Sequence, residues 1–267
     1  MTDYALIQLE SVDSTNNYAK CLDVSDGPIV VVSDTQTAGR GRLGRSFYSP
    51  PESGLYMSIA LPSESIFIPP ALITLATAVA VRQSIEQVFG SSPEIKWVND
   101  LFLRDRKICG ILTERTAEKT VIGIGVNCYP SSLPPEIKDI AGSIIADRAI
   151  GQSIDPRTFS DDACDVNLTR DKKCDLRDCI AINVLSLLTE KRFGDKRDFD
   201  YLGEYRRHCF IIGHEVKVTN FANENGSPSS FLARAIDIAD NGGLVIEPLD
   251  GSPTLTLISG EVSVNLY

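Results

Sequence analysis

Short runs of β-branched and aliphatic residues recur along the first half of the chain, and each run predicts a β-strand. The predicted strands cover residues 28–33, 54–61, 94–98, 101–103, 107–114 and 120–127. Capping residues, an opening proline or helical spacing of apolar residues predict helices at 13–22, 69–89, 179–193 and 201–208. Because the strands follow one another mostly as hairpins and the helices stand in separate blocks, the pattern favours an α+β fold with a mixed or antiparallel sheet.

A different pattern begins at Gly213, where short strands alternate with tight turns. Strands are predicted at 215–218, 231–238, 243–247 and 255–264, with Asn-Gly and Asp-Gly pairs among the turn signals. We therefore expect two domains, a larger mixed-sheet unit at residues 1–211 and a small β-module at residues 212–267. Residues 151–178 are rich in charge and cysteine but weakly patterned, and we expect a variable surface insertion there.

Composition excludes several classes of protein. The chain has 267 residues, 43% of them hydrophobic and 23% charged, as is typical of a soluble globular protein. A net charge of -10 argues against broad binding to nucleic acid or to a membrane surface. The first residues do not resemble a signal peptide, and the longest apolar run, 71–81, is too short to cross a membrane, so we expect a cytoplasmic protein. Seven cysteines occur without a CxxC pair, which predicts reduced thiols and no zinc site.

One segment stands apart from this acidic background. Residues 39–45 (GRGRLGR) hold three arginines and three glycines, and no acidic residue occurs between Thr35 and Pro51. Glycine lets backbone N–H groups approach an anion closely, and guanidinium groups grip phosphate or carboxylate, so the segment indicates a site for a specific anion. The same glycines spell GxGxxG, but the following residues, 45–51, cannot start the helix that a dinucleotide site needs. A solvated arginine loop is the alternative.

Two further segments could carry chemistry. The only tryptophan, Trp97, lies between a lysine and an Asn-Asp pair at 99–100, and Lys107 begins a largely apolar strand. Residues 123–127 place two glycines inside a predicted strand, which often marks a ligand lying flat against a sheet. The alternatives are a core tryptophan beside a simple turn, a solvent-facing lysine and a β-bulge.

Taken together and in order, these segments resemble the biotin protein ligases. The resemblance rests on residues 14–16, 36–45, 96–100, 106–112 and 123–127, and resumes more weakly at 260–263. It implies an enzyme that forms biotinyl-5′-AMP from biotin and ATP and transfers biotin to a lysine of a biotin carboxyl carrier protein or domain. It also implies a mixed-sheet catalytic domain followed by a small SH3-like β-barrel, which agrees with the pattern of strands.

The resemblance implies adjoining sites for biotin and ATP. The biotin-binding residues are expected to be Ser14, Thr15, Asn16, Gln36, Gly39, Arg40, Gly41, Arg42, Lys107, Gly123 and Gly125. The ATP-binding residues are expected to be Arg40, Arg42, Arg45, Phe47, Lys96, Asn99 and Asn127. Because two anions must meet, we expect Lys107 and Arg42 to neutralise the carboxylate and the α-phosphate and to be the catalytic pair. Mg²⁺ is expected near Asn99 and Asp100.

Three other functions fit the sequence less well. Lipoate ligases and octanoyl transferases resemble the family in fold, but their Arg-Arg-x-x-Gly-Gly-Gly loop is absent here. A nucleic-acid-binding module conflicts with the acidic composition, and the two histidines, at 208 and 214, lie far from any nucleophile motif of a hydrolase. Many bacterial relatives carry an N-terminal DNA-binding domain; because the motif at Ser14 lies so early, DNA binding is not expected. A homodimer is left open.

Overall fold

A computed structural model describes residues 3–145, 166–189, 199–222, 228–258 and 260–264. The larger sheet contains β1 (Ala5–Val12), β2 (Ile29–Gln36), β3 (Gly54–Pro62), β4 (Glu94–Lys96), β5 (Asp100–Leu103), β6 (Arg106–Arg115) and β7 (Lys119–Asn127). The described helices are α1 (Thr15–Lys20), α2 (Ile73–Phe89), α3 (Val166–Thr189) and α4 (Tyr201–His208). None of these helices is both long and apolar enough to span a membrane.

The larger sheet is mixed, as predicted. Its strand order is β1-β2-β3-β7-β6-β5-β4, with β1 and β2 parallel and every other pair antiparallel. Helix α2 packs against α3, α4 and the sheet, and side chains such as Leu75, Val81 and Ile85 are fully buried. A helix that is apolar on nearly every side must be covered on every side, which explains its central position.

Two elements differ from the expectations. Helix α3 begins at Val166, whereas the predicted helix starts at residue 179, so residues 166–178 are helical; residues 151–165 lie outside the described part of the chain, and the variable insertion stays a prediction. Strand β1 was not predicted, because it is an edge strand whose apolar side chains stay partly exposed and give no clean alternation; Leu6 keeps 41% of its surface exposed.

A second, antiparallel sheet follows the helices. It contains β8 (Glu215–Ala222), β9 (Pro228–Ile238), β10 (Leu244–Pro248), β11 (Leu255–Leu257) and β12 (Glu261–Val264), in the order β11-β10-β9-β8-β12. The single strand predicted at 255–264 is therefore two strands, which lie at opposite edges of the sheet. Only three residues join them, so the sheet must curl to bring its edges together, as an SH3-like module requires.

The second sheet packs onto the larger one through a shared apolar cluster. Val218 and Leu244 belong to the same buried cluster as Ile95 and Trp97. The indole Nε1 of Trp97 also donates a hydrogen bond to the carbonyl oxygen of Gly242 at 3.0 Å. This contact brings β12 and the end of β8 over the face of the larger sheet where the predicted site residues lie. The division into domains at residues 211 and 212 stays a prediction.

Candidate functional site

A cavity of about 330 Å³ lies between the two sheets and is the right size for a small ligand. Its walls come from the start of α1, the end of β2, the arginine segment, β6 and β7, with Thr219, Gly260, Val262 and Ser263 from the second sheet. The predicted residues that line it are Ser14, Thr15, Asn16, Gln36, Arg40, Gly41, Arg42, Arg45, Phe47, Lys96, Asn99, Asp100, Lys107, Gly123 and Gly125. The cavity therefore brings together residues from segments widely separated in the chain.

The arginine segment is a folded loop over one side of this cavity. The amide of Gly41 donates to the carbonyl of Arg45 at 2.7 Å, and the amide of Phe47 donates to the carbonyl of Gly39 at 2.8 Å. The tip turns through left-handed backbone, with φ of 55° at Leu43 and 75° at Gly44. Leu43 is 66% exposed, so the loop has an apolar residue at its tip that faces solvent.

Arg42 and Lys107 have fixed partners on the β4–β5 turn and on β5. The guanidinium of Arg42 donates to Oδ1 of Asn99 at 3.2 Å, while Nδ2 of Asn99 donates to the carbonyl of Ile111 at 2.9 Å. The ammonium of Lys107 pairs with Oδ1 of Asp100 at 2.7 Å. Asn99, in the β4–β5 turn, and Asp100, the first residue of β5, are adjacent in the chain. They therefore hold Arg42 and Lys107 on the same side of the cavity.

Lys96 and Phe47 also line the cavity. The ammonium of Lys96 lies 5.4 Å from the ring centre of Phe102, a cation–π distance. The ring of Phe47 meets that of Tyr56 edge-on, with the ring centres 6.4 Å apart. An exposed face of such a ring offers a stacking surface for a planar group.

A polar network forms the floor of the cavity at α1. Gln36 Oε1 accepts from the amide of Thr15 at 2.9 Å and from its hydroxyl at 3.1 Å. Below them the fully buried Ser58 lies within hydrogen-bond distance of Thr15 Oγ1, at 2.8 Å, and of Asn16 Oδ1, at 2.6 Å. A hydroxyl has one proton, so Ser58 donates to one of them at a time.

Two glycines in β7 leave room for the side chains of Asn16 and Phe47. A Cβ on Gly123 would lie 2.2 Å from Oδ1 of Asn16, and a Cβ on Gly125 would lie 2.5 Å from the ring of Phe47. Both distances are far below contact, so the side chains of Asn16 and Phe47 lie flat on the strand only because these positions are glycine.

Comparison with known proteins shows the family to which this chain belongs. Residues 9–130 match the model of the biotin/lipoate A/B protein ligase family. Over 258 residues the chain is 40% identical to the bifunctional ligase/repressor BirA of Bacillus subtilis (strain 168), covering 92% of this chain and 70% of that protein. The chain belongs to the biotin/lipoate A/B protein ligase family.

Other members of this ligase family agree at the level of structure and sequence. The biotin protein ligase of Aquifex aeolicus, solved in complex with biotin and ATP, superimposes with a TM-score of 0.72 and 27% identity over 98% of each chain. The biotin--[acetyl-CoA-carboxylase] ligase of Mycobacterium tuberculosis is 29% identical over 121 residues, which cover 44% of this chain and 45% of that protein.

Two predicted site residues of this ligase-family chain do not line the cavity. A Cβ on Gly39 would lie 2.3 Å from the carbonyl oxygen of Phe47, so this glycine permits the loop to close on itself. The side-chain amide of Asn127 donates to the carbonyl of Gly142 at 3.0 Å, at the end of β7. Both residues lie next to elements of the site, and their predicted roles toward ligands stay predictions.

The structure also adds residues that the motifs did not indicate. Ser58 is the one hydroxyl in the run Gly54–Leu61 other than that of Tyr56, and a serine inside a buried strand is a signal that could have been followed. Glu114, near the end of β6, accepts from Nδ2 of Asn16 at 3.0 Å. No local pattern points to Glu114, because its partners come from distant parts of the chain.

Proposed function

We propose that this protein is an ATP-dependent biotin protein ligase. It joins the carboxylate of biotin to AMP and then transfers the biotinyl group to a lysine of a biotin carboxyl carrier protein or domain. Support comes from the biotin--[acetyl-CoA-carboxylase] ligase of Mycobacterium tuberculosis and the biotin protein ligase of Aquifex aeolicus, to which the chain is similar, and from the cavity itself. The observation that carries the proposal is the placement of two anchored cations, Arg42 and Lys107, beside the polar floor at Thr15 and Asn16.

The first step joins two anions. A carboxylate oxygen of biotin attacks the α-phosphorus of ATP, the bond to the bridging oxygen of the β-phosphate breaks, and pyrophosphate leaves with that oxygen. Repulsion between the carboxylate and the phosphates opposes the approach, so positive groups aimed at both lower the barrier. Lys107 and Arg42 supply those charges from the same side of the cavity.

The remaining residues bind and shield. The floor formed by Thr15, Asn16 and Gln36 offers donors and acceptors to the ureido group of biotin, while Phe47 offers a face to adenine. Arg40 and Arg45 hold phosphate groups at the rim. A mixed anhydride is open to attack by water, and the folded arginine loop over the cavity slows hydrolysis and release of the adenylate. The amine of the acceptor lysine then attacks the carbonyl, and AMP leaves.

The residues present fit an ATP-bound Mg²⁺ ion. Asp100 supplies a carboxylate oxygen and Asn99 an amide oxygen at the cavity wall, both hard oxygen donors. The described residues include no cluster of three or more Asp, Glu, His or Cys, so the ion would be held mainly by phosphates and water with Asp100 beside it. When bound, Mg²⁺ neutralises phosphate charge and favours departure of pyrophosphate.

The test is mass spectrometry of the purified protein after incubation with Mg²⁺ and ATP, with biotin in one sample and lipoate in another. A mass for biotinyl-AMP with biotin, and none for lipoyl-AMP with lipoate, is the expected result. Formation of lipoyl-AMP instead would move the assignment to a lipoate ligase of the same family. Formation of neither adenylate, by protein that melts cooperatively, would overturn the proposal.

A further inference from the structure

Glu114 lies where three parts of the site meet. Its Oε2 accepts a hydrogen bond from Nδ2 of Asn16 at 3.0 Å. Its Oε1 lies 2.5 Å from the ammonium of Lys20 on α1 and 3.4 Å from Nη1 of Arg40 in the arginine loop. One carboxylate thus contacts the floor of the cavity, the first helix and the loop above it, and its side chain is only 25% exposed.

The contact with Glu114 determines which way the amide of Asn16 faces. Nδ2 of Asn16 donates to Glu114 and to the carbonyl of Leu112 at 3.3 Å, while Oδ1 is an acceptor for Ser58 at 2.6 Å. Turning the amide over would place Oδ1 against two acceptors, the carboxylate of Glu114 and the carbonyl of Leu112, so these two contacts favour the observed orientation; the Ser58 hydroxyl could accept from Nδ2 and does not decide it. Without the carboxylate, only the longer bond to Leu112 opposes that rotation.

The contact with Arg40 fastens the arginine loop. Nη1 of Arg40 donates to Oδ1 of Asn17 at 2.9 Å and faces Glu114 across 3.4 Å. Asn17 is in turn held by Asp13, whose Oδ2 accepts from Nδ2 of Asn17 at 2.7 Å. The described contacts of this arginine therefore join the first part of the loop to α1 and to β6.

The charge of Glu114 persists at neutral pH. Burial alone would raise the pKa of this carboxyl, but hydrogen bonds from Lys20 and Asn16 and the positive charges of Lys20 and Arg40 outweigh it and lower the pKa below its ordinary value. The carboxylate therefore stays available to Asn16, Lys20 and Arg40.

We propose that Glu114 is a positioning residue that couples recognition of the biotin rings to closure of the arginine loop. It orients Asn16 toward the cavity and, through Arg40, keeps the loop down over the bound adenylate. This inference rests on the proposed biotin ligase activity. On this inference, Glu114 affects the binding of biotin and the retention of biotinyl-AMP, whereas Lys107 and Arg42 act on the adenylation step.

The test compares Glu114→Gln with Glu118→Gln, an exposed acid near the tip of the same β6–β7 hairpin. Glutamine at 114 has nearly the same shape but only one acceptor oxygen. That oxygen can contact either Asn16 or the cations Lys20 and Arg40, and the NH₂ group would then face the donors on the other side. We expect KM for biotin and the dissociation rate of biotinyl-AMP each to rise about tenfold, with kcat of adenylation within about threefold of the original. Glu118→Gln should change none of the three.

Further variants keep the test decisive. Combining Glu114→Gln with Arg40→Gln should raise the dissociation rate of biotinyl-AMP by less than the product of the single effects, because each change alone already removes the contact between Glu114 and Arg40. If Glu114→Gln does not fold, Glu114→Asp, which keeps the charge on a shorter arm, should shift the same two quantities by a smaller factor. Unchanged KM and dissociation rate, or a fall in kcat alone, would overturn the inference. Absence of biotinyl-AMP with the original protein would instead overturn the proposed function.

Discussion

The ammonium of Lys107 lies 2.7 Å from Oδ1 of Asp100, and the exposed fractions of the two side chains are 30% and 22%. A lysine side chain is flexible, so a single carboxylate partner on β5 restricts where its charge can be. The pair lies beside Arg42 and its anchor Asn99 on the cavity wall, where the proposed mechanism needs positive charge. Position as well as charge is therefore expected to matter at Lys107.

Removing either cation should reduce the first chemical step strongly. Lys107→Ala and Arg42→Ala are each expected to lower the rate of biotin-dependent pyrophosphate release by about 10²-fold, as for loss of a charge aimed at the transition state. Asp100→Asn keeps the lysine but frees its head group, so we expect a smaller loss, about tenfold. Lys138→Ala, at an exposed position, serves as the control. Near-normal rates in both Lys107→Ala and Arg42→Ala would contradict their assignment as the catalytic pair.

The two glycines of β7 should have separable effects. A Cβ at Gly123 would displace Asn16, and we expect Gly123→Ala to raise KM for biotin about tenfold or more with little change for ATP. A Cβ at Gly125 would displace the ring of Phe47, so Gly125→Ala should raise KM for ATP instead. Each variant is the control for the other, and steady-state kinetics with both substrates measures the difference. Equal changes in both constants for both variants would show a general disturbance of the strand.

Loss of the Ser58 hydroxyl should weaken both binding and stability. In Ser58→Ala the buried oxygen of Asn16 loses its donor, and an unsatisfied buried acceptor costs about 1–3 kcal/mol. We expect a lower free energy of unfolding in urea and a higher KM for biotin. Ser230→Ala, at an exposed site on β9, should leave both values unchanged. A variant as stable as the original would show that the network relaxes without the hydroxyl.

The bond between Trp97 and Gly242 predicts how firmly the second sheet is attached. Trp97→Phe retains most of the apolar contact but removes the indole N–H, leaving the carbonyl of Gly242 without this donor. We expect a loss of about 1–3 kcal/mol in thermal or denaturant unfolding. Hydrogen exchange should also become faster at β10, which follows Gly242, than at β3 in the larger sheet. Uniformly faster exchange throughout the chain would argue against a local role.

A carboxylate on α3 predicts one component of the acid sensitivity. Asp178 accepts two hydrogen bonds from Arg177, at 2.7 and 2.8 Å, and one from the hydroxyl of Tyr4 at 2.7 Å. The bond from Arg177 is the main cause that lowers the pKa of Asp178 below its ordinary value of 3.8. A lowered folded-state pKa means that the stabilisation is present at neutral pH and is lost as the pH falls through the folded-state value.

Replacing Asp178 by asparagine should therefore reduce stability at pH 7, and the difference from the original should shrink as the pH falls below 3.8 and through the lowered folded-state pKa. Because the Asp178 side chain is 43% exposed, solvent screening limits the effect at pH 7 to about 1 kcal/mol or less. Denaturant unfolding of the original and the variant across this pH range measures it. A difference in stability that stays constant from pH 7 to pH 3 would exclude the titration of Asp178 as its cause.

Much of the fold follows from local pattern. The apolar run at 28–33 overlaps β2 from Ile29 onward, the run at 54–61 lies within β3, and the proline-led segment at 69–89 contains α2. The glycine-arginine segment was predicted as a loop, and all of its residues except Gly39 and Gly44 line the cavity. These features depend on residues within one or two turns of each other, so the chain alone is sufficient to indicate them.

Other features required the assembled sheet. Strand β1 was missed because an edge strand buries too little to show a period, and the predicted strand at 255–264 is broken because its halves pair with opposite edges of one sheet. Helix α3 extends back to Val166 through residues with few apolar positions. Apolar spacing gives little helix signal there, because most helical stability in proteins comes from tertiary packing.

The chemistry of the site divides in the same way. Sequence alone determined which segments carry the charged, polar and glycine residues of the site. Each motif is short, and the chemistry of its side chains indicates which groups it can bind. Only the tertiary structure decided that Ser58 and Glu114 support Asn16, since these partners are separated by 42 and 98 positions in the chain. These contacts to Asn16 depend on the register of the strands and on how α1 packs against the sheet. No local pattern in a single sequence encodes either of these.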